Sequence, residues 1–150
     1  MNNHHSKDYN AILNLLALYA EKVDSGDAKG MAELFRNADV QWGVDAPIIH
    51  GYDAMLDLYE KVIKLHSDGT PRTHHIITNP IIEIGEDGFT ANARTYYTVI
   101  QQIIDFPLQV IAGGRYHDVF AKENDIWEYR NRKYFMDFRG NISSHVKNQE

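Results

Sequence analysis

A chain of 150 residues, 43% hydrophobic and 24% charged, is the size of one domain with a self-sufficient core. It contains no cysteine, which excludes disulfides, thiolate nucleophiles, iron–sulfur ligation and thiolate zinc sites. A net charge of −6 argues against nucleic acid and anionic lipid as partners, and the lone basic cluster Arg130-Asn131-Arg132-Lys133 lies in a strand-like stretch whose neighbours point to opposite faces.

Residues 1–8 lack the basic start and apolar run of a signal peptide, and no apolar stretch approaches the roughly 20 residues that span a bilayer. A cytoplasmic protein is the expectation. From about Tyr9, the residues Ile12, Leu15, Leu16, Tyr19 and Val23 recur at helical spacing, with Ser6 or Asp8 as caps and Ser25-Gly26 as the stop. Asp27 reads as the N-cap of a short second helix with Met31, Leu34 and Phe35 on its apolar face. The two make a helical hairpin. Residues 38–42 read as a short strand, broken by Ala46-Pro47 before a brief extended piece at Ile48-Ile49-His50. A third helix over about 52–65 keeps its period through Met55, Leu58, Tyr59, Val62 and Leu65, and Ser67-Asp68-Gly69-Thr70-Pro71 ends it.

Beyond this point the pattern becomes extended. Residues 73–84, 89–104, 108–121 and 126–138 are rich in Ile, Val, Thr, Tyr and Phe, and are separated by Gly85-Glu86-Asp87-Gly88, Asp105-Phe106-Pro107 and Lys122-Glu123-Asn124-Asp125. Successive hairpins imply an antiparallel meander. Helices in front and long strands behind predict an α+β fold, with the helices covering one face of a strongly curved, mostly antiparallel sheet that encloses a pocket. Gly113-Gly114 suggests a bend or bulge rather than a phosphate loop, since no helix follows it. Residues 1–8 and 141–150 read as flexible tails, the latter alternatively as an arm onto a partner subunit.

The candidate chemistry centres on Asp24, at the end of the first helix, and His75, in the strand-like run Thr73-His74-His75-Ile76-Ile77-Thr78-Asn79. If they meet, the carboxylate holds the imidazole in one tautomer and leaves Nε2 as a base near physiological pH. The plainer alternatives are a turn aspartate and a hydrogen-bonded core histidine. His74 should point to the opposite face of the strand, which argues against a two-histidine metal clip, and the remaining histidines are scattered. No metal is expected. Trp42 offers an indole donor or core packing, and Arg132 either a pocket cation or a salt bridge. Tyr19, Tyr59, Tyr96, Tyr97, Tyr116 and Tyr134 are possible phenol donors, most of them expected in the core, and strand alternation puts Asn79 on the face of His75. No G-x-S-x-G elbow, P-loop or Rossmann fingerprint is present.

Several landmarks in this order resemble the SnoaL-like branch of the nuclear-transport-factor-two-like (cystatin-like) superfamily, which includes scytalone dehydratase and hexachlorocyclohexane dehydrochlorinase. They are Tyr19 with Asp24-Ser25-Gly26-Asp27, Leu34-Phe35, Val40-Gln41-Trp42, Gly51, His74-His75 through Asn79, Gly114-Arg115-Tyr116-His117-Asp118, and Trp127 with Arg132. The resemblance spans residues 9–140 and implies a cone-shaped α+β domain with an internal pocket. It also implies that Asp24 and His75 form a proton-abstracting dyad, with Trp42 and Arg132 in the pocket. The dehydrochlorinase's pocket lysine and the dehydratase's second histidine have no clear counterpart.

The expectation is therefore a cofactor-independent lyase or isomerase, dehydratase-, dehydrochlorinase- or cyclase-like, acting on a small apolar cyclic or aromatic molecule. Its candidate catalytic residues are Asp24, His75, Arg132 and Trp42, and its substrate contacts Tyr19, Tyr59, Asn79, Tyr97 and Tyr116. The alternative is a non-catalytic binding module or the structural β subunit of a ring-hydroxylating dioxygenase, for which co-purification with a large iron-containing subunit is the discriminating observation. The resemblance also implies a homodimer or homotrimer.

Overall fold

In the computed structural model, which describes residues 3–147, the opening apolar stripe forms the 22-residue helix α1 (Asn3–Asp24). Ile12, Leu16, Tyr19 and Val23 are its buried face, as the 3.6-residue period requires. α1 begins before the predicted Tyr9, and Asp8 helps to hold this first part. Its carboxylate accepts from Trp127 Nε1 at 2.8 Å and from Lys122 Nζ at 3.1 Å. Residues 3–8 therefore belong to the helix and not to a tail; Met1 and Asn2 lie outside the described residues. Gly26 ends the turn after α1 at φ +78°, and a Cβ there would stand 2.1 Å from the Gly69 carbonyl oxygen. Only glycine suits both that conformation and that approach.

Asp27 caps α2 (Ala28–Leu34) as predicted, accepting from Gly30 N at 2.8 Å. β1 (Asp39–Trp42) and β2 (Ile49–His50) lead into α3 (Gly51–Val62), which buries Met55 and Tyr59. α3 stops short of the predicted Leu65 because Ile63 leaves the helix to bridge Val146. Four long strands follow: β3 (Thr73–Ile84), β4 (Thr90–Ile103), β5 (Phe106–Glu123) and β6 (Ile126–Arg139). The predicted break at Asp105-Phe106-Pro107 shrinks to a turn at Ile104-Asp105.

The six strands form one sheet in the order β2-β1-β6-β5-β4-β3, antiparallel except where β1 runs parallel to β6. Alternation is clearest on β4, where Ala91, Ala93, Thr95, Tyr97, Val99 and Gln101 are buried while Asn92, Arg94 and Tyr96 are exposed. This is the predicted α+β architecture, with α1 packed against β3 and β6. None of the described helices is long and apolar enough to cross a membrane.

Two of the sheet's register shifts bear on the expected site residues. β3 slips register between Thr78 and Ile81, with Asn79 at φ +53°. β5 slips at Gly113/Gly114, the pair read as a bend or bulge. A Cβ on Gly114 would lie 1.9 Å from the Phe135 carbonyl oxygen and 2.7 Å from the Tyr97 hydroxyl. Gly114→Ala is accordingly expected to cost about 1–3 kcal/mol through overpacking, read as a lower midpoint in urea unfolding.

The carboxy-terminal stretch is also more ordered than a tail, as far as it is described. Lys64 N donates to His145 O and Lys147 N to Val62 O, both at 2.8 Å. Gln101 Nε2 reaches Ser144 O at 3.0 Å, and His66 Nε2 lies 2.8 Å from the same oxygen. Residues 141–147 are thus strapped across the end of α3 and the start of the sheet within their own chain, where an arm onto a partner was the other expectation.

Candidate functional site

Between the strap, the end of α1, α3 and the concave face of the sheet lies a cavity of about 390 Å³. Apolar and aromatic side chains dominate its wall, among them Val23, Met55, Val99, Tyr97, Tyr116 and Ile142.

At the end of α1, where the negative end of the helix dipole disfavours a carboxylate, three donors hold Asp24 in place. His75 N donates at 2.7 Å, Thr73 Oγ1 at 2.8 Å, and His75 Nδ1 lies 2.6 Å from Oδ1. None of these donors belongs to the local turn that the plainer reading of Asp24 required. The aspartate and histidine side chains are only 13% and 7% exposed. A hydrogen bond from Nδ1 to the carboxylate selects, for the neutral ring, the tautomer whose Nε2 is the acceptor. The His75 ring lines the cavity and Asp24 stands behind it. His74 is exposed on the other face, as alternation predicted.

The tyrosines Tyr19, Tyr59, Tyr97, Tyr116 and Tyr134 are also in the wall, with Trp42. Tyr134 Oη donates to Tyr19 Oη at 3.0 Å, and Tyr59 Oη donates to Val23 O at 2.8 Å. Tyr97 and Tyr116 stack with centroids 4.5 Å apart. Burial pushes Tyr59 and Tyr97 up to about 12 and raises Tyr19 and Tyr116 well above the ordinary phenol value. These phenols stay protonated at neutral pH. Trp42 is neither core nor deep in the site: it is 44% exposed at the cavity wall and lies flat on Tyr134, centroids 4.2 Å apart.

Two expected residues fall outside the cavity. Arg132 is fully buried beneath the aromatic wall, paired through two hydrogen bonds with Asp118 at 2.6 and 2.8 Å. Its guanidinium lies 4.0 Å from the ring centre of Tyr116 and 4.3 Å from that of Tyr19. Burial alone would lower its pKa, but Asp118 and the surrounding phenols outweigh that and hold it well above the ordinary value. Its place is in a core ion pair, because its cross-strand neighbour is Asp118 and the cavity lies on the other side of the tyrosines. Asn79 is displaced by the β3 bulge, which breaks the alternation, and it lines a separate groove with Arg94, Tyr96 and Arg115.

One site residue was missed. His145, carried by the strap, lines the cavity with its ring centre 5.8 Å from that of His75. Burial lowers its pKa to about 4, with His75 and His66 adding to the effect and Asp24 opposing it. In the unfolded chain it would titrate near 6.5, so as pH falls the unfolded state takes up this proton first. The stability tied to neutral His145 is complete above about pH 6.5 and is lost on the way down through 4, on the order of 3 kcal/mol. Urea unfolding at pH 7.5 and pH 4 should show that loss, and His145→Gln should make the dependence shallower.

Among the described residues no cluster of three or more histidines and acids is arranged to hold a metal ion.

A SnoaL-like domain model matches residues 4–133. The solved structures this chain is similar to include an NTF2-like protein with a cystatin-like fold from Novosphingobium aromaticivorans, with a TM-score of 0.72 at 19% identity over 87% of this chain and 82% of that one. A candidate scytalone dehydratase from the same organism has a TM-score of 0.73 at 18% identity, covering 95% and 98%. LinA has a TM-score of 0.73 at 15% identity, covering 93% and 92%. A comparison with curated proteins gave no match.

Proposed function

The chain belongs to the SnoaL-like domain family, and we propose that it is a lyase or isomerase that removes a carbon-bound proton from a small, flat, mostly apolar cyclic molecule. The observation that carries this reading is the 2.6 Å contact between Asp24 and His75 Nδ1 beside an apolar cavity of about 390 Å³. His75 Nε2 takes the proton and becomes imidazolium, which the Asp24 carboxylate stabilises. The C–H electron pair passes into the substrate. There it either expels a leaving group from the adjacent carbon or shifts a double bond, after which His75 returns the proton at the new position.

The aromatic wall favours a ring of similar flatness. Tyr97 and Tyr116 offer a stacked pair, and Tyr19 meets Tyr116 edge-on at 83°. Burial of the site strengthens every electrostatic interaction within it. The chemistry named for the similar structures, a candidate scytalone dehydratase among them, agrees with this class of reaction.

The decisive experiment needs no knowledge of the natural substrate. In D₂O the protein should catalyse exchange of the α-protons of a bicyclic ketone such as 1-tetralone, followed by proton NMR. No acceleration with any of a panel of cyclic ketones and enones, while the same compounds bind, would leave a binding module in place of an enzyme.

A further inference from the structure

The bulge that takes Asn79 away from the cavity shapes a second concavity, on the opposite face of the sheet. Two residues of β3, Asn79 and Pro80, fall opposite the single Thr95 of β4, and the groove beside them has a volume of about 440 Å³, room for a molecule of one or two rings. Strand register lays two rows of side chains across this face. Ile81, Arg94, His117 and Lys133 stand abreast on β3, β4, β5 and β6, and Thr78, Tyr96, Arg115 and Phe135 form the next row. Pro80, Ile81 and Tyr96 give the groove an apolar wall, the last two being 52% and 55% exposed.

Three cations gather here in a chain whose net charge is −6. Arg115 is already paired: its Nε and Nη2 donate to the Asp137 carboxylate at 2.8 and 3.0 Å, and its guanidinium lies 4.7 Å from the ring centre of Phe135. Arg94 and Lys133 are exposed, and among the described residues neither has an acidic partner. His117 stands between them. Burial lowers its pKa, Arg115, Arg94 and Lys133 add to the effect, and Asp118, on the buried face, opposes it; the surface carboxylate Asp137 also acts on it. Within the lining, Asp137 neutralises Arg115 and leaves Arg94 as one uncompensated cation, the match for a monoanion. A free guanidinium fork grips a carboxylate through two parallel hydrogen bonds, and a flat apolar wall covers a ring.

We propose that this groove binds a small aromatic carboxylate, with Arg94 holding the carboxylate, Tyr96 and Ile81 covering the ring, and Arg115 and Lys133 adding positive charge. The site lies across the sheet from His75 and stands independently of any role for His75 as a base.

The test titrates 2-naphthoate into the isotope-labelled full chain at pH 7.5 and follows the imidazole signals by proton–carbon NMR. The His117 signals should move saturably while those of His75 stay in place. With 2-naphthoate bound, the His117 titration midpoint should rise, because an added negative charge opposes the surrounding cations. Arg94→Gln should weaken binding by about tenfold and Lys133→Gln by about twofold, with α-proton exchange unchanged in both. Movement of His75 in place of His117, or an Arg94→Gln protein that binds as tightly as wild type, overturns the proposal. If Arg94→Gln does not fold, Arg94→Lys takes its place: the charge stays and the fork is lost, so a severalfold loss supports the site and unchanged affinity overturns it. A groove silent to 2-naphthoate, with Arg94→Gln lowering the mass seen by light scattering, would be a contact between copies of the chain and also overturns it.

Discussion

Asp24→Asn is expected to slow α-proton exchange by about a thousandfold, within the range seen when a base loses its orienting carboxylate. The carboxylate accepts from the His75 ring, the His75 backbone and Thr73, whereas an amide has a single acceptor oxygen and two donors. An asparagine NH₂ facing Nδ1 makes that nitrogen the acceptor and moves the proton to Nε2, the atom that must be vacant. The ring then has the wrong tautomer in the right place. His75→Ala should fall as far, and the double variant little further, because the two residues act as one unit. NMR exchange rates for the three proteins, with thermal unfolding as a control for folding, measure this. Equal rates in wild type and Asp24→Asn would show that the pair is structural.

Arg132→Leu is expected to be the most destabilising single change, at about 3–5 kcal/mol. It leaves the Asp118 carboxylate, 2% exposed, with no cation in a region ringed by phenols. Against a total stability of about 5–15 kcal/mol, such a loss brings the domain close to unfolding at growth temperature. Replacing both partners, as Arg132→Leu with Asp118→Leu, removes two buried charges together and should recover most of the loss. Urea unfolding of the single and double variants gives the coupling directly. A single variant as stable as wild type would show that the buried ion pair does not hold the core together.

The elements were legible because their periods are strong. Ile12, Leu16, Tyr19 and Val23 at helical spacing, and the alternation of β4, each point to one buried face. The meeting of Asp24 with His75 was legible through the order of landmarks in the chain, because 51 residues separate the two and no local rule joins them. Arg132 was legible only as a choice between a pocket cation and a salt bridge, and the register that sets it opposite Asp118, a tertiary fact, decides for the salt bridge. Asn79 did carry a usable signal. Asparagine tolerates positive φ and the following Pro80 has no N–H for the ladder, a pair that marks a bulge inside a strand. His145 carried none: it sits in a polar stretch without periodicity, and only contacts with the 62–66 and 101 regions bring it to the base.

The flat seating of Trp42 on Tyr134 gives the protein a built-in optical reporter. The chain has two tryptophans, and Trp127 is 5% exposed and hydrogen-bonded to Asp8, far less open to solvent than Trp42. Trp42 borders the cavity and is nearly half open to water. A molecule entering there would dehydrate one indole and leave the other as it was, shifting the fluorescence emission to the blue. Trp42→Phe should remove that response, so occupancy could be followed by titration before any reaction is known.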